Sequence, residues 1–403
     1  MVRQWPNNGT RRTPYCTRGE RGAKSMIFVK REELQVGMRL ARPVYNKNGV
    51  LLYERNSKLT SQGIDSIRNF GLIGMFILEP AEPAPPMTQE DIEFERFQTM
   101  TVFLIQEELN KIMMTKKSVK LQTIVASILK SYGHLDHKIH FIQNLRSKDD
   151  CVCKHALNVA ILSAMICHKM NLKREDQQEI VSAAILHDMG ELTLNPDLWE
   201  QEELSDMDLV RKAAAQRDGI NLIGDVFSSS PNMKRICFQC NTIHARLRDG
   251  QSLDNMKVVP GAKVLLVANQ YDEMTAMQYG RAPESEVAVL RYMQERPEIF
   301  DPDVVEALAD CIQILMPGIS VELSNGDKAL VIQENPHDIL HPMVLSFSDN
   351  SIIDLGNRFI YGDIEIVDIM KTMDNRHIMD TESLRRQGFQ VEEPDYVPAK
   401  EES

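Results

Sequence analysis

With 403 residues and a formal net charge of −12, the chain is too long for one compact core and fits two or three domains. Its 43% hydrophobic and 26% charged residues are the balance of a globular protein, and the acidic surplus excludes a nucleic-acid groove as the main business, because a phosphate polymer needs a basic face. Seven cysteines, an odd number in a long chain, read as reduced thiols, and apolar runs such as Val264–Asn269 fall far short of a membrane span, so a cytoplasmic location is expected.

In chain order, residues 1–25 carry six basic side chains against one acidic and lack the apolar core of a signal peptide. They are expected to be a disordered basic tail, or to precede a true start at Met26. Residues 26–78 read as a small α+β module. Short apolar strands surround Phe28, Leu40 to Tyr45 and Leu52, with Asn48-Gly49 as a type I′ hairpin turn. Ile64, Ile67 and Phe70 mark a short amphipathic helix over 60–70, and Gly71–Leu78 reads as a final strand. Residues 79–90, EPAEPAPP at their start, read as a Pro-rich linker.

Helical spacing follows over Asp91–Met114 and Val119–Tyr132, two helices suited to a signalling stalk or a homodimer contact. The pattern is then mostly helical from Cys151 to about Leu315, where Pro317 closes it, giving a helical domain over 91–316. Short alternating strands over 317–370, with Asn325-Gly326 as a hairpin, read as a small β module. Residues 371–403 read as a mostly disordered, charged tail. The expected fold class is therefore mainly α, a helical domain flanked by a small α+β and a small β module.

The residues that carry chemistry are His155, His187, Asp188 and His244. An adjacent His-Asp pair at a helix end can present an imidazole nitrogen and a carboxylate oxygen to one metal ion if the backbone bends, which Gly190 permits. A second ion close by would need further histidines or carboxylates, and two ions could activate water and clamp a phosphodiester. Taken singly, each residue has a plainer reading: a lone histidine in an apolar helix is usually a core residue, and His187-Asp188 could cap a helix. Cys237-x-x-Cys240 has half a zinc-knuckle spacing without a second pair, and His134, His137 and His140 read as a polar surface patch.

Several segments resemble the HD superfamily of metal-dependent phosphohydrolases and, within it, the HD-GYP family of cyclic-di-GMP phosphodiesterases. Leu186-His187-Asp188-Met189-Gly190-Glu191 is similar to LHDIGK, with His155 upstream at the family's interval. Ile243-His244 through Asp249-Gly250 resembles HHExxDGxGYP, Ala262 through Met274 resembles ARI…VADVYDAL, and Phe300-Asp301-Pro302 resembles FDPxVV. The resemblance implies a helical HD domain, metal ligands at His155, His187, Asp188, His244 and Asn269, and catalytic roles for His187 and Asp188.

The departures from the family are as informative. A histidine expected near Ala215 or Gln216 is missing, the paired histidine and glutamate after His244 are Ala245 and Arg246, and the late aspartate is Asn269. The lysine of HDIGK, placed to contact a phosphate, is Glu191, whose charge would repel one. The GYP tripeptide is replaced by Gln251-Ser252-Leu253. The resemblance then implies a degenerate member, with iron, manganese or zinc held weakly or at partial occupancy. It would be a bacterial signalling protein acting by binding a cyclic dinucleotide or partner signalling proteins, with weak or no hydrolysis. Two alternatives stay open: an active mononuclear phosphohydrolase, with Asn269 or Asp272 as the late ligand, and a metal-free scaffold similar to HDOD domains.

Overall fold

The structure, a computed structural model, describes residues 88–369 apart from 142, 144–145, 202–203, 249–250, 252, 254–255 and 277–282, and before them residues 26–30, 34–35, 38–40, 44–45, 51–54, 57–60, 63–64 and 74–78. In the amino-terminal part, β1 (Met26–Lys30) and β5 (Gly74–Leu78) pair antiparallel with Met26 opposite Leu78, and β2 (Arg39–Leu40) adds to the other edge of β5. Two further strands, β3 (Val44–Tyr45) and β4 (Leu51–Tyr53), form a separate pair. Val29, Leu34, Leu40, Leu59, Met75 and Ile77 make a small core of their own. The predicted Asn48-Gly49 turn, nearly all of the predicted helix over 60–70, the Pro-rich stretch and both tails lie outside the described residues.

Helix α1 (Gln89–Thr115) begins inside the stretch predicted as linker. Thr88 and Asp91 explain the start: each side chain accepts the other's backbone N–H, at 3.1 and 2.8 Å, a reciprocal cap that the preceding prolines obscure in the sequence. The chain then turns through Lys116 at φ 56° into α2 (Leu121–Tyr132). That helix has no side-chain cap of its own. Glu108 of α1 supplies one from across the turn, accepting from Ser118 Oγ at 2.8 Å, Val119 N at 2.7 Å and Leu121 N at 3.2 Å.

Helix α3 (Cys151–Lys169) is the centre of the bundle. By length and composition it could cross a membrane, which corrects the reading that the longest apolar runs are short. Here it is apolar all round because neighbours cover it all round: α1, α2, α4 (Arg174–Leu186) and α7 (Pro260–Thr275) pack against it. The remaining helices are α5 (Asp206–Val226), α6 (Pro231–Arg248), α8 (Glu286–Gln294) and α9 (Pro302–Ala309). Helical structure ends at Ala309, earlier than the predicted Leu315; the segment beyond runs irregularly and bridges back to the loop after α2 through Ile139 and Ile312.

The carboxy-terminal strands are β6 (Ser320–Leu323), β7 (Lys328–Gln333), β8 (Met343–Ser346), β9 (Ile352–Asp354) and β10 (Ile366–Ile369), an antiparallel sheet in the order β10-β6-β7-β8-β9. The β6–β7 hairpin turns at Asn325-Gly326, where Gly326 takes φ 86°. A short helix, α10 (Arg358–Tyr361), was not predicted, and β10 starts only at Ile366. Val321, Leu323, Val331 and Ile366 join the same hydrophobic core as the helices, and Arg291 of α8 donates to the Ile366 carbonyl. The sheet therefore shares its core with the bundle.

Candidate metal centre

Three elements converge to build the site. Helix α3 brings His155 from its first turns, while α4 ends at Leu186 so that His187 caps it and Asp188 opens a tight turn, Met189–Thr193. Helix α7 brings Asn269 and Asp272, three residues apart and so on one face. His187 Nε2 lies 3.2 Å from His155 Nε2 and 3.4 Å from Asp188 Oδ2, and His155 Nε2 lies 3.6 Å from that same oxygen. Two ligands each 2.0–2.1 Å from a tetrahedral ion stand about 3.3 Å apart, so these separations match the edges of a metal polyhedron.

Both rings are oriented from behind. His187 Nδ1–H donates to the Ala184 carbonyl at 2.7 Å, which turns the Nε2 lone pair inward. His155 Nδ1 is 2.6 Å from Asp272 Oδ2. Asp272 is fully buried and is itself held by Arg146 and by Asn158 Nδ2 at 2.8 Å. A carboxylate behind a ligating imidazole fixes its tautomer and raises its basicity, and removing such support costs about 10–100-fold in metal affinity.

The charges follow from these contacts. Burial pushes the Asp272 carboxyl up, but the Arg146 guanidinium, His155 and Asn158 outweigh it and hold it at about 2. Burial disfavours the His155 imidazolium, yet the Asp272 hydrogen bond and charge raise its pKa above the ordinary value. His187 is lowered, chiefly by burial, and so is neutral with its lone pair available. Asp188 stays ionised because His187 and His155 outweigh its burial. Two imidazole nitrogens, one carboxylate oxygen and Asn269 Oδ1, 3.1 Å from His187 Nε2, face one point, and with His155 neutral all four would act as acceptors. That donor set fits a divalent ion.

The side facing α5 and α6 is arranged differently. Asn269 Nδ2 donates to His244 Nε2 at 2.9 Å, so the amide stands between His244 and the cluster and occupies the lone pair a metal would need. Gln216 Nε2 lies 3.3 Å from Asp188 Oδ1 and 2.7 Å from Glu191 Oε1, and Gln216 Oε1 accepts from Asn241 at 2.9 Å. Lys212 Nζ sits 3.4 Å from Glu191 Oε1 and 5.1 Å from the Trp199 ring centre. Burial and then the Asp188 charge raise Glu191 to about 7.

The structure brings His155, His187 and Asp188 together, with Asn269 beside them, and leaves His244 behind Asn269. Among the described residues this is the one group of His, Cys, Asp or Glu spaced to hold an ion. Cys237 and Cys240 are buried in α6, with the Cys237 thiol against the Ala183 carbonyl. His137 and His140 pair with Glu90 and Asp91 at the start of α1.

Three readings are corrected. Asp272 is a support for His155 and faces away from the ion position. Glu191 is 3% exposed and shared by Gln216 and Lys212, so it is no bare charge in a phosphate's path. Gly190 is required by close approach rather than by a bend: an added Cβ would fall 1.9 Å from the Ala215 carbonyl oxygen of α5.

The HD domain family model matches residues 135–304, which contain every residue of this site. No curated protein gives a significant match to the sequence. Among solved structures, an HDG"Y"P protein from Bdellovibrio bacteriovorus is similar at 15% identity, with 70% of this chain and 98% of that chain covered and a TM-score of 0.41.

Proposed function

We propose, from the HD domain match over residues 135–304, an HD-GYP-like signalling protein of the phosphohydrolase superfamily, related to cyclic-di-GMP phosphodiesterases, that holds one divalent ion. It acts by binding a phosphorylated ligand such as a cyclic dinucleotide, or a partner protein, with weak or no hydrolysis. The observation that carries this is the closure of the α5–α6 side. Asp188 Oδ1, the oxygen that could bridge to a second ion, faces the Gln216 amide, and His244 is bonded to Asn269. A two-ion clamp on both reacting oxygens of a phosphodiester is thereby lost.

His155, His187 and Asp188 would hold the ion, with Asn269 Oδ1 as a weak fourth donor. Iron, manganese and zinc all suit this mixed nitrogen–oxygen set. A bound ion supplies Lewis-acid polarisation of a phosphoryl oxygen and a more acidic water. The chain's own part is to hold the His155 ring through Asp272, to keep the His187 lone pair inward through Ala184, and to keep Asp188 ionised. This finished support also favours a second reading, a mononuclear phosphohydrolase. A cytoplasmic homodimer packing through α1, whose Met100, Phe103 and Leu104 are exposed, belongs to the same proposal.

Elemental analysis of the purified protein beside His187→Ala tests it. One equivalent of iron, manganese or zinc, lost in the variant, with phosphodiester turnover near background, is the expected result. Turnover at ordinary enzymatic rates abolished by His187→Ala would replace it with the hydrolase reading, and metal that the variant leaves unchanged would point to a scaffold.

A further inference from the structure

We propose that Lys212 is the anion-receiving group of this site, its ammonium placed to take a phosphate oxygen of an incoming ligand. The proposal rests on the reading of an HD domain that binds phosphorylated ligands, and names the residue that would recognise the phosphate. Lys212 and Gln216 stand one turn apart on α5, and both reach the same oxygen of Glu191. Gln216 bonds it at 2.7 Å, whereas the ammonium stands off at 3.4 Å, beyond the usual 2.7–3.2 Å of such a bond. The Trp199 ring lies 5.1 Å from the ammonium, holding the charge by its quadrupole without using a hydrogen.

Neighbouring cations are placed otherwise. Arg146 is buried against Asp272, Lys154 pairs with Asp150 at 2.8 Å, and Lys148 pairs with Asp197 at 2.9 Å. The Lys212 side chain is 27% exposed while that of Glu191 beneath it is 4% exposed, so the lysine covers the buried polar cluster and reaches solvent along part of its length. A compact ammonium with three hydrogens, whose nearest carboxylate oxygen stands 3.4 Å away, suits a phosphate, which offers several oxygens to a point charge.

The alternative role, a counter-charge for Glu191, makes a different prediction, because a counter-charge for Glu191 alone has no effect on ligand affinity once Glu191 is also neutral. The test is calorimetric titration of the full chain with inorganic phosphate, comparing wild type, K212M, K212R, E191Q and the E191Q/K212M pair, with metal content measured for each. Expected is at least tenfold weaker phosphate binding in K212M, the same loss between E191Q and E191Q/K212M, and affinity within about threefold of wild type in K212R. Metal content should be unchanged or higher without Lys212, since a nearby positive charge has gone. Should K212M fail to fold, the E191Q/K212M pair decides. Equal phosphate affinity with and without Lys212 in the E191Q background, or no phosphate binding by wild type, overturns the proposal. Wild type without an ion would instead overturn the metal reading above, leaving Lys212 to be judged on the phosphate titration of the protein as isolated.

Discussion

Two buried carboxyl groups flank the cluster and behave oppositely. Asp272 is held at about 2 and Glu191 is raised to about 7, although both sit out of water. Burial pushes both up. Asp272 is rescued by a buried guanidinium, an imidazole and an amide in direct contact, while Glu191 has the negative Asp188 as neighbour and its one cation at 3.4 Å. What separates them is the quality of the partners. The Asp272 side is finished structure around a cluster spaced to hold one ion; the Glu191 side is bonded by Gln216 and has its ammonium partner Lys212 farther off.

Breaking the Asp272 side should give the largest effect. Asp272→Ala leaves Arg146 buried and uncompensated, and removing one partner of a buried pair costs about 3–5 kcal/mol. Urea unfolding of the metal-free protein should show that loss. Asp272→Asn, which keeps the shape, should cost less stability but about 10–100-fold in metal affinity, because the His155 ring loses its carboxylate support. An Asp272→Asn protein that binds metal as tightly as wild type would remove the argument for a finished centre.

A carboxylate far from the site sharpens the comparison. Glu108 is 1% exposed and has no ion pair among the described residues, yet bonds from Ser118 and the backbone amides of Val119, Lys120 and Leu121 outweigh its burial and lower its pKa. Glu108→Gln should therefore destabilise by about 1–2 kcal/mol, the worth of a helix cap, with metal content unchanged. Because the folded pKa is the lower one, this contribution is present above the unfolded value of about 4.3 and fades as pH falls through the folded pKa. Wild type and Glu108→Gln should converge in stability under acid and separate at neutral pH.

The same contrast explains what the sequence revealed. His155, His187 and Asp188 could be singled out because their order and interval resemble the HD motifs, although each taken singly has a plainer core or capping reading. Asp272 was read as a substitute ligand, though its spacing from Asn269 already put both on one face of α7. Only the depth of His155 in α3 decides which of the two touches the ion position. Gln216 and Lys212 were invisible as a pair, since their meaning comes from Glu191, carried against α5 by the close approach that Gly190 allows. In the fold, the core role of α3 was hidden by its very uniformity, which has no stripe to orient it. The start of α1 was hidden by prolines that drew attention away from Thr88 and Asp91.

The smallest effect is expected on the Glu191 side, and its pH dependence is the informative part. A carboxyl raised to about 7 in the folded protein binds its proton more tightly there than in the unfolded chain, whose value is near 4.3. The folded state then holds more protons between those values, so this group's contribution makes stability fall as pH rises from about 4.3 through about 7. Glu191→Gln keeps an acceptor for Gln216 and Lys212 but cannot ionise, so its stability curve should be flatter over that interval. At pH 5 the two proteins should differ little, and above pH 7 the variant should be the more stable one by urea unfolding. A wild-type curve matched by the variant across the interval would mean that Lys212 fully neutralises Glu191. The ammonium would then be committed inward, and the two sides of the site would be alike after all.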